Sequence, residues 1–370
     1  MHSRRRRVFD LTILSFDMAV CFLYSPRMLY PVVLMDLGSN AVRFVLAEIT
    51  PGIGYRILRK GRAQTRLSSG LNGHLSPRAV RETLQAVHNF LQTLPRNGDF
   101  KVLAVATAAL RDADNRDALL EPLRRDAGIE VCILSGQEEA RLGAMAALRA
   151  FAVVTGLIVD LGGGSLQVTE VRNRLAAATA SFPLGAVRMT ERFLHHDPPL
   201  PGEIEKLRRE IRRHLAGALP ARREHGEVVG LGGTVRAVAR IHLGLESNQH
   251  DSRQGLRLAR SAVTDIRANL QELSLGGRRR VRGMRAERAD IILAGTVVVE
   301  ELMTLADYPA LTVCKNGVRD GILLHEAFKS NGAAGWHGAP SRSAQLPPLS
   351  FRPLPSWVIR QPGPLPSSIH

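Results

Sequence analysis

The stretch LIVDLGGGSLQV, residues 157–168, decides how this chain is read. An apolar strand runs into an acid, Asp160, then three consecutive glycines and a serine, and alternation resumes afterwards. Such a turn has almost no side chain in it. A second stretch, VVLMDLGSNAVRFVL (32–46), follows the same plan with Asp36, Gly38, Ser39 and Asn40 at the bend. Glycines let a ligand approach the backbone closely, and successive exposed N–H groups in a turn form a concavity suited to anions. A carboxylate beside a phosphate repels it unless a divalent cation lies between them. The pair of bends therefore points to a hard-metal site, Mg²⁺ or Mn²⁺, with Asp36 and Asp160 as its carboxylates. A tight turn capped locally by Asp explains either hairpin alone, but not the same device at matching places in two halves.

Around these bends the chain alternates strand and helix signals. In the first half, PVVLMD, AVRFVLAEI and YRILRKGRAQTRL read as an antiparallel meander. Ser76 and Pro77 then open an amphipathic helix striped by Val80, Leu84, Val87, Leu91 and Leu94. A strand at 100–106, a helix near 114–126, a strand at 129–135 and a helix from about Gln137 follow, which calls for a mixed sheet with parallel members. The second half starts with another glycine-punctuated meander through Phe182. Helices near 185–194, 202–218, 233–242, 261–274 and 286–305 and strands at EVVGLG and ALTVCKN complete it. The economical model is α/β: a duplicated unit of mixed five-stranded sheets with helices, and a cleft between the copies.

Composition bounds the rest. With 370 residues, 45% hydrophobic and 23% charged, the chain is long enough for two cores. We expect residues 1–27 to lie outside the fold, residues 28–139 and 140–328 to form two domains, the last helix to return to the first domain, and 329–370 to be a disordered Pro-rich tail. The N-terminal run MHSRRRRVFDLTILSFDMAVCFLY resembles a signal peptide superficially, but Asp10 and Asp17 interrupt its apolar stretch. No apolar run reaches the roughly 18 residues of a membrane span. Cys21, Cys132 and Cys314 carry no disulfide or zinc spacing, so a reduced, cytoplasmic setting fits. The net charge is +16, and only five of the fifty basic residues are Lys. Arginine-rich surfaces suit phosphate oxygens, yet solvated helix faces account for the charge equally well. The densest stretches, LRREIRRH (207–214) and GGRRRVRGMR (276–285), are open to both readings. No specific nucleic-acid partner is indicated.

Other groups stand at chemically suggestive places. GLGGTVRAVAR (230–240) is a further glycine turn entering a helix. Arg111 in ATAALRDADNR falls just past a strand end, where catalytic groups gather in open α/β sheets. SGQEEARLGAMAAL (135–148) joins the halves and carries Glu138 and Glu139, one of which can face a cleft and deprotonate a water. His195, His196 and Asp197 precede two prolines and read as a loop rather than a ligand cluster.

The set DLGSNAVR, ATAALR, SGQEEARL, VDLGGGS, GLGGTVRAVAR, ERADIILAG and NGVRDGIL, in this order and spacing, resembles the exopolyphosphatase and guanosine pentaphosphate phosphatase family over residues 31–328. The resemblance implies the actin-like, ribonuclease H-like fold in two domains, magnesium dependence, hydrolysis of a terminal phosphoanhydride in the interdomain cleft, a role in the stringent response, and possible homodimers. The substrate it implies is inorganic polyphosphate or guanosine pentaphosphate. By the same resemblance Glu139 matches the glutamate that activates water and Arg111 a phosphate-clamping arginine. Asp160 matches the acid of the second phosphate loop, Gly162, Gly163, Gly164 and Ser165 that loop, and Ser39 with Asn40 the first. One position departs: the family's loop continues Ser-Thr-Glu, whereas Leu166 and Gln167 follow Ser165 here. An amide brings no negative charge, so a slowed enzyme, or a protein that binds polyphosphate or the nucleotide without turnover, is the alternative reading.

Overall fold

The computed structural model describes residues 28–68, 73–95, 99–220, 226–245, 253–329 and 357–360. The first half runs β1 (Tyr30–Leu37), β2 (Val42–Thr50), β3 (Gly54–Ala63), α1 (Pro77–Leu91), β4 (Asp99–Ala106), α2 (Ala108–Arg111), α3 (Asp117–Ala127), β5 (Val131–Ile133) and α4 (Gly136–Ala150). The second runs β6 (Gly156–Leu161), β7 (Leu166–Arg172), β8 (Leu175–Phe182), α5 (Ala186–Phe193), α6 (Pro201–Leu215), β9 (Glu227–Leu231), α7 (Gly232–His242), β10 (Arg257–Ala259), α8 (Arg260–Glu272), α9 (Leu275–Arg280), α10 (Ile292–Leu305), β11 (Ala310–Val313) and α11 (Val318–Phe328). A last strand, β12, spans Trp357–Arg360.

Sheet order exposes the duplication. In the first half β3, β2 and β1 form an antiparallel meander, β1 pairs parallel with β4, and β4 pairs parallel with β5. In the second, β8, β7 and β6 repeat the meander, β6 pairs parallel with β9, and β9 with β11. Each half thus contains the five strands expected, in the same order. Each sheet also gains a sixth that the five-strand expectation missed. β10 pairs antiparallel with β11, and β12 antiparallel with Asp99–Val102 of β4. The second addition corrects the expectation of a structureless tail at 357–360. β5 is only three residues long and covers Ala104–Ala106, so half of β4's edge is left with unpaired backbone groups that an extended segment satisfies. The remaining expectations for 1–27 and for most of 329–370 lie outside the described residues.

Local chemistry explains the elements that carry the site. Ser76 Oγ accepts from Ala79 N at 3.1 Å and starts α1. Ser135 and Glu138 close a capping box on α4: Ser135 Oγ accepts from Glu138 N at 3.2 Å, and Glu138 Oε2 from Ser135 N at 2.8 Å. α4 then crosses between the halves. Its Leu142 packs with Val32, Leu34, Val105 and Leu134 of the first sheet, while Ala144, Ala147 and Leu148 pack with Ile158 and Val229 of the second. α11 lies on the first sheet through Ile322, Leu323 and Ala327, close enough to α4 that a Cβ at Gly321 would strike the Leu142 carbonyl. Both helices therefore run through the seam. No helix among the described residues is long and apolar enough to cross a membrane.

Candidate active site

Equivalent strands deliver equivalent acids to that seam. Asp36 is the penultimate residue of β1 and Asp160 of β6, and both line one small cavity of about 100 Å³. The two glycine bends meet face to face across it. A Cβ on Gly163 would stand 3.0 Å from Ser39 Cβ, and one on Gly164 2.7 Å from Ser39 Oγ, so the second bend has to be side-chain-free. A third turn closes the wall. Gly232 has φ +92°, and a Cβ there would lie 2.7 Å from Asp160 Oδ1. All the residues expected at the bends, Ser39, Asn40 and Gly162 to Ser165, border the cavity. Asn40 Nδ2 is buried with no hydrogen-bond partner among the described residues, a donor aimed at nothing the protein supplies.

The capping box decides between the adjacent acids of α4. Glu138 is spent on the helix end, and Glu139, one position on, turns inward and is 7% exposed. Its Oε2 accepts from Arg111 Nη1 at 3.2 Å and from Gln167 Nε2 at 3.2 Å. Burial, opposed by Arg111 and reinforced by Asp160 and Asp36, pushes the Glu139 carboxyl up to about 8. Burial likewise lifts Asp160 to about 6, against the pull of Arg236 and Arg43. Arg111 is not on the cavity wall. It bridges Glu139 and the Leu134 carbonyl (2.8 Å), so its guanidinium fixes the acid from behind instead of meeting the cavity directly.

The donor set fits a hard divalent cation. Asp36 and Asp160 offer only oxygen, and their burial and mutual repulsion, countered only in part by Arg43, Arg236 and Arg319, are what a cation would offset. Among the described residues no three His, Cys, Asp or Glu cluster in a metal-holding arrangement. Mg²⁺ is usually bound by one or two carboxylates, with waters and substrate phosphates completing the shell, and Asp36 with Asp160 offers two.

The small cavity opens into a larger one of about 600 Å³, and the two share Arg43, Gly233, Arg236, Arg288 and Arg319. Ten of the twenty residues lining the larger chamber are Lys or Arg, against a single acid. That acid, Asp320, is already satisfied by Tyr55 Oη (2.7 Å) and Gly317 N (2.9 Å). Arg43 and Arg319 lie 3.4 and 3.6 Å from Asp36. Burial and the neighbouring guanidinium groups depress Arg288 to about 9 and Arg236 to about 10, both still charged at neutral pH.

A model of the Ppx/GppA phosphatase family matches residues 45–330. The chain belongs to the Ppx/GppA family. It is 33% identical over 328 residues to an uncharacterized protein of Streptomyces coelicolor, covering 86% of this chain and 96% of that one. It is 31% identical over 315 residues to exopolyphosphatase 2 of Mycobacterium tuberculosis, covering 78% and 96%. The crystal structure of an Aquifex aeolicus Ppx/GppA member superposes with a TM-score of 0.70 at 25% identity, over 83% of this chain and all of that one. The fold is the actin-like ATPase fold, as its two matching sheets require.

Within this Ppx/GppA member, the dense arginine stretches are mostly structural. Arg208 and Arg212 of α6 are ion-paired with Glu300 and Glu301 of α10, with 2.7 Å contacts to each acid. Arg278 donates to the Leu270 carbonyl at 3.0 Å. Of GGRRRVRGMR only Gly283 and Arg285 line the chamber. His196 leans on Glu203 at 2.9 Å and Asp197 accepts from Leu275 N, so that trio is loop architecture. The chamber arginines were missed because they are scattered singly. A signal was present all the same: Arg43, Arg236, Arg240, Arg288 and Arg319 all lie in four of the quoted motifs, three of which contain a glycine turn.

Proposed function

We propose that this protein is a divalent-cation-dependent exopolyphosphatase that removes the terminal phosphate of inorganic polyphosphate. The observation that carries the reading is the junction of a three-carboxylate pocket with a chamber lined by ten cations. The exopolyphosphatase named among its relatives supports the same class. Asp36 and Asp160 would hold Mg²⁺ or Mn²⁺, which supplies positive charge to the phosphate oxygens when bound. The N–H groups of the two bends, with Ser39, Asn40 and Ser165, seat the terminal phosphate, and Arg43, Arg236, Arg288 and Arg319 hold the chain behind it. Glu139 accepts a proton from a water whose oxygen bonds to the terminal phosphorus. The bridging P–O bond breaks, and its electron pair leaves with the shortened chain, so the products are orthophosphate and a polymer one unit shorter. Arg111 orients Glu139 throughout.

A repeating polyanion can run along the cationic wall of the chamber, whereas the 5′ phosphates of guanosine pentaphosphate would engage only the groups nearest the acids. The test is orthophosphate release with Mg²⁺ from long-chain polyphosphate and, separately, from guanosine pentaphosphate. Release from polyphosphate at the higher kcat/KM, lost in Glu139→Gln, is expected. A wild-type protein inert on both, or a fully active Glu139→Gln, would overturn the reading; preference for the nucleotide would reassign the substrate.

A further inference from the structure

Gln167 is 3% exposed at the start of β7, facing Asp160 across the β6–β7 pair. Its amide nitrogen lies 3.2 Å from Glu139 Oε2, 2.7 Å from Ser165 Oγ and 3.2 Å from Ser181 Oγ. The two hydroxyls can donate or accept, but Glu139 in the ionised form that takes a proton only accepts, so that form fixes which end of the amide faces it. Glu139 Oε2 is therefore held from two sides, by Arg111 from α2 and by Gln167 from β7. Oε1 makes no hydrogen bond to the described residues and is the oxygen left for a water.

We propose that Gln167 is a positioning residue that clamps Glu139 Oε2 through its amide N–H and leaves Oε1 free to receive the proton. The proposal rests on the exopolyphosphatase reading above and deepens it. It assigns the amide a task that a carboxylate of the same shape cannot do. At this position an ionised glutamate would bring acceptor against acceptor at about the same separation once Glu139 is ionised, and would add a negative charge beside Asp36 and Asp160. The departure from the family's loop is then an adaptation of this chain, and not a loss.

The experiment is Gln167→Glu and Gln167→Met in the full chain, with kcat and KM on polyphosphate, chain binding by anisotropy, and thermal unfolding in parallel. Loss of one charge-assisted contact predicts kcat down by roughly tenfold to a hundredfold in both variants, with KM and binding unchanged. A merely structural role would instead lower the unfolding temperature and shift KM with kcat. Gln167→Glu equal to or faster than wild type shows that the position wants a charge, and full kcat in Gln167→Met shows that no donor is needed; either overturns the proposal. If the wild type releases no phosphate from any phosphoanhydride, the functional reading itself fails, an outcome separate from these. Gln167→Met, which adds no charge, keeps the test intact if Gln167→Glu fails to fold.

Discussion

Glu139→Gln removes a carboxylate that the folded chain holds at a cost. Its pKa rises from 4.5 in the free side chain to about 8 in the fold. A raised carboxyl pKa contributes stability that is fully present below about 4.5 and lost progressively as pH rises toward about 8. At pH 7 the unfolded chain has shed this proton and the folded chain has kept it, a gap of about two and a half pH units. At about 1.4 kcal/mol per unit, Glu139 lowers stability by about 3 kcal/mol relative to acid conditions. Glutamine has the same shape and no proton to hold. Arg111 loses its ionic partner, which offsets part of the gain, but its bond to the Leu134 carbonyl remains. In chelated buffer, Glu139→Gln is therefore expected to unfold on the order of 5 °C above wild type at pH 7, with the difference nearly gone at pH 5. Adding Mg²⁺ should raise the wild type and narrow the gap, because a cation bound to the folded acids stabilises by mass action. The assay is thermal unfolding by circular dichroism at the two pH values, with and without Mg²⁺. Coincident curves at both pH values, or a variant less stable at pH 7, would show that Glu139 is not held against its ionisation.

The same raised carboxyl predicts the rate profile. Glu139 must be ionised to accept a proton, so kcat/KM on polyphosphate should climb with pH from 6 toward about 8 and then level. A flat or falling profile over that range would assign the base elsewhere. The chamber gives a prediction on binding. Lys60→Ala with Arg285→Ala takes two cations from its wall and should raise KM for long polyphosphate by about threefold per residue, weaken its salt dependence, and leave kcat in place. Tripolyphosphate, too short to leave the acid pocket by far, should be little affected. Equal effects on both substrates would mean that the chamber does not hold the chain.

The acids were legible because their signal is local. A strand, a carboxylate and a glycine bend occupy a few consecutive residues, and finding the plan twice, at 32–46 and 157–168, is enough to infer two loops of one kind. That both halves run as a three-strand meander followed by alternating strands and helices followed from the same repetition. What lay beyond sequence were relations between distant residues. That Arg111 backs Glu139 rather than facing the cavity depends on where the Leu134 carbonyl lies. That Arg208 and Arg212 are committed to Glu300 and Glu301 depends on α6 meeting α10, which no run of charges announces. β12 is a further case. Its pairing depends on how much of β4 is left bare by a three-residue neighbour, and the Pro-rich composition around it carries no such information.

The free site gathers like charges into two groups and relieves them only in part, through Arg111 beside Glu139 and Arg43 and Arg319 beside Asp36. Glu139 and Asp160 are lifted by burial and by other acids, while Arg236 and Arg288 are depressed by burial and by other arginines. Of the three acids at the cavity, Asp36 is the one with two guanidinium groups close by. The pairing is less complete than the one α6 and α10 make with Arg208, Arg212, Glu300 and Glu301. Partial separation costs stability in the empty protein, and on the proposed function ligands would recover it in two places at once: a cation between the carboxylates and a chain of phosphates between the arginines. On that reading a cation without phosphate would leave the arginines of the chamber facing one another, and polyphosphate without a cation would meet Asp36 and Asp160. Positive coupling between Mg²⁺ and polyphosphate binding is the outcome this reading predicts, and equal polyphosphate affinity with and without Mg²⁺ would contradict it.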